Sequence, residues 1–390
     1  MTSLHEATRR TEEQLRHLGS KKWSTPPGVI GSTVAEMDFG IADEVGEALI
    51  ARVRNGSVGY LPATEQLVMR QACADWHRDV YGWDVPVEMV RPLPDVLRGL
   101  EVAIEHFSRP GSDVVLLTPA HVPFLSVPGQ LGRSVREVPM LRDSLGEWRL
   151  DLDGIDAALA GGGGLVVFCN PHNPIGKVYL LEEMAALAEV VERHGARVFS
   201  DEIHAPLVFG GHRHVPYASV SSTAAGHTIT ATSASKGWNL SGLKCAQLIL
   251  SNESDAERWR DVAFLSEHGA GLLGAVATTA AYNRGRPWLA EVLDYLDGNR
   301  TLLSGLLAEH LPGVEYVPPH GTYLAWLDCA ALGLGERPAD FFLEHARVAV
   351  NDGATCGAAG QGYVRLNLAT PRPILAASVE RMGQALATRR

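Results

Sequence analysis

Residues 165–204, LVVFCNPHNPIGKVYLLEEMAALAEVVERHGARVFSDEIH, decide the fold. LVVFCNP (165–171) is an apolar run closed by Asn and Pro, and it reads as a buried strand. In LEEMAALAEVVERHG (181–195), Met184, Leu187, Ala188 and Val191 recur at helical spacing, and Gly195 supplies a stop. ARVFSDE (196–202) is a second apolar run. Strand, helix, strand implies a mostly parallel sheet covered on both faces.

Working outward, DVVLLTP (113–119), TITATSAS (228–235) and AQLILS (246–251) have the same character, and most of these runs are separated by enough chain for a helix. GGGGL (161–165) lacks the spacing of a dinucleotide fingerprint and reads as a flexible lead into a strand. From about residue 286 the pattern changes to a long helical stretch, WLAEVLDYLDGNRTLLSGLLAEHL, then short strands and a final helix. The expected class is α/β: a large domain with a mostly parallel mixed sheet covered by helices, plus a smaller α+β domain. The expected division is an N-terminal arm over 1–45 packing with the small domain, a large domain over 46–285 and a small domain over 286–390.

The chain has 390 residues, 46% of them hydrophobic and 20% charged, which describes an ordinary globular protein long enough for two domains. A formal charge of -11 without a long basic run argues against nucleic acid or anionic membrane as partners and favours small molecules. The N-terminus has no apolar signal core, and no apolar run is long enough to span a bilayer, so a cytoplasmic protein is expected. The five cysteines are scattered and form no Cys-x-x-Cys pair, so neither a disulfide framework nor a metal site is indicated.

Ligands of open parallel sheets gather at the carboxyl ends of the strands. His121 follows the first apolar run, Asn173 the second, Asp201 and His204 the third, and Lys236 the fourth. A lone Asp at a strand end is usually a cap or turn former, but here four segments aim side chains at one edge. Lys236 also sits in TSASKGWNLSGLK (232–244), behind two serines and ahead of a second lysine. An acid, an amide, a lysine and hydroxyls together suit pyridoxal 5'-phosphate. Its aldehyde condenses with a lysine amine, its ring nitrogen needs an acid partner, and its phosphate needs hydroxyls and backbone N–H groups. Lys236 is then the aldehyde's partner, Ser233 and Ser235 offer hydroxyls, and Lys244 adds positive charge. Ser233 is the more direct phosphate ligand, because Ser235 can serve to cap the chain.

At this point the chain resembles the fold-type I pyridoxal-phosphate enzymes of the aspartate aminotransferase superfamily, in the branch of cystathionine β-lyases and related carbon–sulfur lyases. The resemblance rests on KKW (21–23), AEMDF (35–39), GY (59–60), NPHNPIG (170–176), SDEIH (200–204), SASK (233–236), GTYLAWLD (321–328) and YVRLN (363–367). It implies that Lys236 binds the aldehyde and Asp201 faces the pyridine nitrogen, with Asn173 and His204 near the 3-oxygen. It further implies that Arg365 takes the substrate α-carboxylate and that Tyr60 reaches the cofactor phosphate of a neighbouring subunit. The implied assembly is a homodimer with shared active sites. The implied reaction is β-elimination from an S-substituted cysteine, with L-cystathionine leading. An aminotransferase is the alternative, and a non-catalytic cofactor-binding regulator is a third reading.

Three positions depart from the branch. His121 stands where relatives place a stacking tyrosine, and its protonation would alter the cofactor ring and the pH optimum. PLPDVLRGL (92–100) replaces a glycine-containing turn before a phosphate-binding helix. Asp95 there is a good N-cap but an unfavourable neighbour for a phosphate, leaving Val96 and Leu97 as backbone donors. His320 stands where an acidic residue is frequent, near the expected substrate.

Overall fold

The apolar runs form the centre of a seven-stranded sheet because each buries both of its faces. The computed structural model describes residues 3–144 and 146–389; Met1, Thr2 and Arg390, at the tips of the expected arm and small domain, lie outside the described residues, as does Leu145. In chain order the strands are β1 (Val90–Leu93), β2 (Asp113–Thr118), β3 (Val135–Pro139), β4 (Gly163–Cys169), β5 (Arg197–Asp201), β6 (Thr228–Thr232) and β7 (Ala246–Leu250). Their spatial order is β1-β7-β6-β5-β4-β2-β3. From β3 across to β6 all neighbours are parallel, whereas β7 runs antiparallel to both β6 and β1. β4, β6 and β7 are buried at every residue, as expected of strands covered by helices on both faces.

The edge strands β1 and β3 escaped the sequence reading. β1 contains Pro92, which is tolerated at an edge, and β3 carries two charged residues and buries only Val138. Helices α1 (Val96–His106), α2 (Val122–Gln130) and α3 (Leu181–Arg193) follow β1, β2 and β4. The long helix α4 (Arg286–His310) leads to a four-stranded sheet made of β8 (Glu315–Tyr316), β9 (Leu324–Asp328), β10 (Asn351–Asp352) and β11 (Tyr363–Asn367), in the order β8-β9-β11-β10.

The N-terminal segment is tied to this second sheet region. Ile30–Gly31 pairs in parallel with Val348–Ala349, and Arg381 pairs with Glu12 at 2.8 Å. Lys22 is fully buried, and its Nζ donates to Asp38 Oδ2 at 2.8 Å and to the Ala369 carbonyl at 2.9 Å. Trp23 Nε1 donates to the other oxygen of Asp38 at 2.8 Å. These bonds give KKW and AEMDF a structural meaning: they knot the N-terminal segment against the stretch that follows the strand YVRLN. Gly176, at φ +70°, lets NPHNPIG approach the segment before β9, because a Cβ there would meet Pro319 Cβ at 2.2 Å.

Candidate active site

The carboxyl ends of β1, β2, β4, β5 and β6 face one cavity of about 620 Å3. Because β7 is antiparallel, its first residue lies at this same edge, which brings in Lys244 from the preceding turn. β11 contributes Arg365, and the N-terminal segment closes one wall through Val34 and Ala35. His121, Asn173, Asp201, His204, Ser233, Ser235, Lys236, Lys244, Val96, Leu97 and Arg365, expected from sequence to share a site, all line this cavity.

Tyr60 does not. Its side chain is 90% exposed and borders a separate hollow with Phe264 and His268. His320 lies outside the cavity too, stacked on His212 with ring centroids 3.9 Å apart and with Nε2 3.5 Å from Glu147. The expected placement of His320 near the substrate is therefore corrected, because it does not line this cavity.

Lys236 sits in the short helical turn Ala234–Gly237, which Ser233 caps by accepting from the Ser235 N–H at 3.1 Å. Ser233 Oγ also donates to the Cys245 carbonyl at 2.8 Å. Its only proton is thus spent, while the Ser235 hydroxyl has no protein partner among the described residues. This corrects the expected ranking: Ser233 is the cap, and Ser235 is the hydroxyl open to a ligand. Trp238, beside Lys236 in sequence, is fully buried with Nε1 donating to the Gly285 carbonyl at 2.9 Å.

Asp95 resolves its own conflict. Oδ1 accepts from the Arg98 N–H at 3.0 Å, the third helical position of α1, and leaves the N–H groups of Val96 and Leu97 without an intrahelical acceptor. Oδ2 pairs with Lys244 Nζ at 2.8 Å. Lys244 thus brings its positive charge to the cavity as one half of an ion pair.

Burial sets the protonation of the interior groups. The Asp201 carboxyl is raised from 3.8 to about 7 by burial, against an opposing hydrogen bond from the Ile203 N–H. Lys236 is lowered from 10.5 to about 8 by burial and by the Arg365 charge, and its Nζ donates to the Ala35 carbonyl at 2.9 Å. His121 is lowered to about 3 by burial and the nearby Arg365 and Lys236 cations. Burial therefore favours its neutral form near pH 7. His204 is likewise held neutral, by burial first. Each of these two imidazoles keeps a buried Nδ1 without a partner.

Arg365 is buried yet meets no carboxylate among the described residues. It donates to Asn173 Oδ1 at 3.0 Å, to Asn351 Oδ1 at 2.8 Å and to the Thr33 carbonyl at 3.1 Å, and its Nε is unpartnered. A buried guanidinium held only by neutral acceptors is an open site for an incoming carboxylate. Asn351 and Tyr323, whose hydroxyl donates to the Ala35 carbonyl at 2.9 Å, were not assigned from sequence. Asn351 opens an Asn-Asp-Gly turn, which signals a bend but not a bond to a distant arginine.

A family model described as aminotransferase class I and II matches residues 28–379. The chain belongs to that family. Within the family, the cystathionine beta-lyase of Corynebacterium glutamicum is 38% identical over 378 residues, covering 96% of this chain and 98% of that protein. The PLP-bound C-S lyase of Staphylococcus hominis has a TM-score of 0.88 at 28% identity and covers 95% of this chain and 97% of its own. Cystalysin of Treponema denticola, whose structure contains a pyridoxal 5'-phosphate cofactor, has a TM-score of 0.91 at 26% identity, with 97% and 98% covered. The family and fold expected from the sequence are borne out.

Proposed function

We propose that this chain is a pyridoxal-phosphate-dependent carbon–sulfur β-lyase that converts L-cystathionine and water to homocysteine, pyruvate and ammonia. The observation that carries this reading is the meeting of Lys236, Asp201 and Arg365 in one cavity, in a chain 38% identical along its length to a cystathionine beta-lyase. The residues fit the cofactor. The unspent Ser235 hydroxyl and the free N–H groups of Val96 and Leu97 suit a phosphate, with the Lys244–Asp95 pair alongside and Ser233 shaping the turn. Asp201, poised near neutrality, suits a basic ring nitrogen. His121 offers a neutral ring for stacking, and Asn173 and His204 offer polar groups toward the 3-oxygen.

When bound, pyridoxal phosphate supplies an aldehyde for the amine and an electron-withdrawing ring for the electrons of the α-carbon. Lys236 would hold the group through that aldehyde and would serve as the base for the substrate's α-proton. Its lowered proton affinity keeps a usable fraction of free amine near neutral pH. Arg365 orients the α-carboxylate, and Asp201 holds a proton against the ring nitrogen. The chemistry the bound group would support is loss of the thiol from the β-carbon.

We also infer a homodimer in which Tyr60 serves the neighbouring subunit's site. The exposed Tyr60, Phe264, Leu67 and Val58 support a face covered by a second copy. We read residues 1–45 as an arm, 46–285 as the large domain and 286–390 as the small one, and we assign the protein to the cytoplasm, where five unpaired thiols are at home.

The deciding experiment incubates the cofactor-loaded protein with L-cystathionine and no oxo acid. Pyruvate and free thiol are expected in equal amounts over many turnovers. Amino transfer that begins only when 2-oxoglutarate is added would instead make the protein an aminotransferase, and silence in both assays would leave the regulatory reading.

Asp95 gives a separate prediction. Asp95→Asn keeps the cap but removes the negative charge beside the phosphate and frees Lys244. Because this ion pair is well exposed, the gain is modest: pyridoxal phosphate is expected to bind the cofactor-free protein about fivefold more tightly. An absorbance titration measures it, and weaker binding by the variant would show that the carboxylate helps to hold the cofactor.

A further inference from the structure

Away from the Lys236 cavity, a second cleft of about 260 Å3 opens between the chain that follows His204 and the first turns of α4. Its walls are apolar, with Trp76, Val80, Leu289 and Leu293 among them. No Asp or Glu lines it, although the chain carries a formal charge of -11. Two guanidinium groups do line it, Arg213 and Arg286.

Both arginines are oriented but unspent. Arg286 Cζ lies 5.3 Å from the centroid of the Trp76 ring, and Arg213 Nη2 donates to the Tyr81 carbonyl at 3.4 Å. Neither forms an ion pair with a carboxylate among the described residues, so most of their N–H donors face solvent. His214, almost fully buried, closes the floor: its Nε2 lies 2.9 Å from Glu202 Oε2, and its Nδ1 is buried without a partner. Glu202 also accepts from Ser200 Oγ at 2.8 Å and from the Tyr217 N–H at 2.9 Å. Its charge is compensated where it lies and does not offset the arginines.

We propose that this cleft is a second ligand site, distinct from the Lys236 cavity, for a small carboxylate with an apolar or aromatic body. Two cations without counter-charge select an anion, and their planar forks match a carboxylate. The apolar walls reward a hydrocarbon body that an inorganic anion lacks. A cationic ligand meets like charge, and a neutral one leaves the arginines unused. The cleft is not isolated from the chemistry. Ala205 and Pro206 line it directly after His204, and Pro206 packs on Gly237, where an added Cβ would lie 3.1 Å from Pro206 Cβ, beside Lys236.

The test is calorimetric titration of the cofactor-loaded protein with 3-phenylpropanoate, beside its amide and inorganic sulfate. In Arg365→Gln, which removes the carboxylate site of the Lys236 cavity, the carboxylate is expected to bind one site per chain, and the amide and sulfate far more weakly. Arg213→Gln with Arg286→Gln in that background, both at exposed positions where the fold does not depend on them, is expected to weaken binding about tenfold or more. Binding in Arg365→Gln separates the proposal from any failure of the Lys236-site assignment. The proposal is overturned by absent binding, by equal binding of the amide or sulfate, by binding that survives the double replacement, or by binding lost in Arg365→Gln.

Discussion

Lys236→Ala is expected to abolish turnover of L-cystathionine, by about 1000-fold or more, since the lysine serves both as the aldehyde's partner and as the base at the α-carbon. A second readout does not depend on activity. After borohydride reduction and proteolysis, the wild-type peptide spanning residue 236 should carry the cofactor's mass, and the variant should carry none. The fold should survive. The Ala35 carbonyl that accepts from Lys236 Nζ also accepts from the Tyr323 hydroxyl, so no acceptor is orphaned. Burial lowers the lysine from 10.5 to about 8, which marks a charged form disfavoured by roughly 3 kcal/mol in the folded chain. The cofactor-free variant should therefore melt at or above the wild-type temperature at neutral pH. A cofactor that stays covalently bound to the variant would remove Lys236 from its assigned place.

Asp201→Asn is expected to lower turnover by about 100- to 1000-fold, the usual loss when a preorganised charge at a reacting group is removed. Substrate carboxylate binding through Arg365 should persist. The same variant tests the burial of Asp201 in the cofactor-free protein. Because the carboxyl is raised from 3.8 to about 7, the folded chain keeps a proton that the unfolded chain releases across that interval. The stability contributed by Asp201 is therefore fully present below about pH 4 and is lost as pH rises through about 7, by roughly 4 kcal/mol in all. Asn does not titrate, so the difference in denaturant midpoint between the two proteins should change with pH in that window. Lys236 acts in another window, above about pH 8. A difference that stays flat from pH 4 to 7 would mean that Asp201 is solvated rather than buried.

The central strands were legible because burial on both faces leaves continuous apolar runs such as LVVFC, and the polar residues that end those runs point to one edge by topology alone. The edge strands β1 and β3 were not legible, since Pro92 and the charges of VREVP are what an edge requires and what hides it. Within the site, the residue types at strand ends could be read, but the division of labour between them could not. Whether Ser233 or Ser235 keeps a free proton depends on the Cys245 carbonyl, twelve residues along the chain. Whether Lys244 is unopposed depends on Asp95 across the cavity. His320 was misplaced because its neighbour in sequence, Gly321, does reach NPHNPIG, while the imidazole turns away to His212. Alignment with a motif fixes the backbone address more firmly than it fixes the direction of a side chain.

The knot at Lys22 bears on how the molecule is made. Its ammonium requires the carbonyl of Ala369, and Ile30–Gly31 requires Val348–Ala349, so this early segment waits for a residue 347 positions further along the chain. Ala35, the wall that holds Lys236, belongs to that waiting segment. A nascent chain thus carries an unfinished pocket until residues 348–369 have been made, and a complete pocket for the prosthetic group forms only after that.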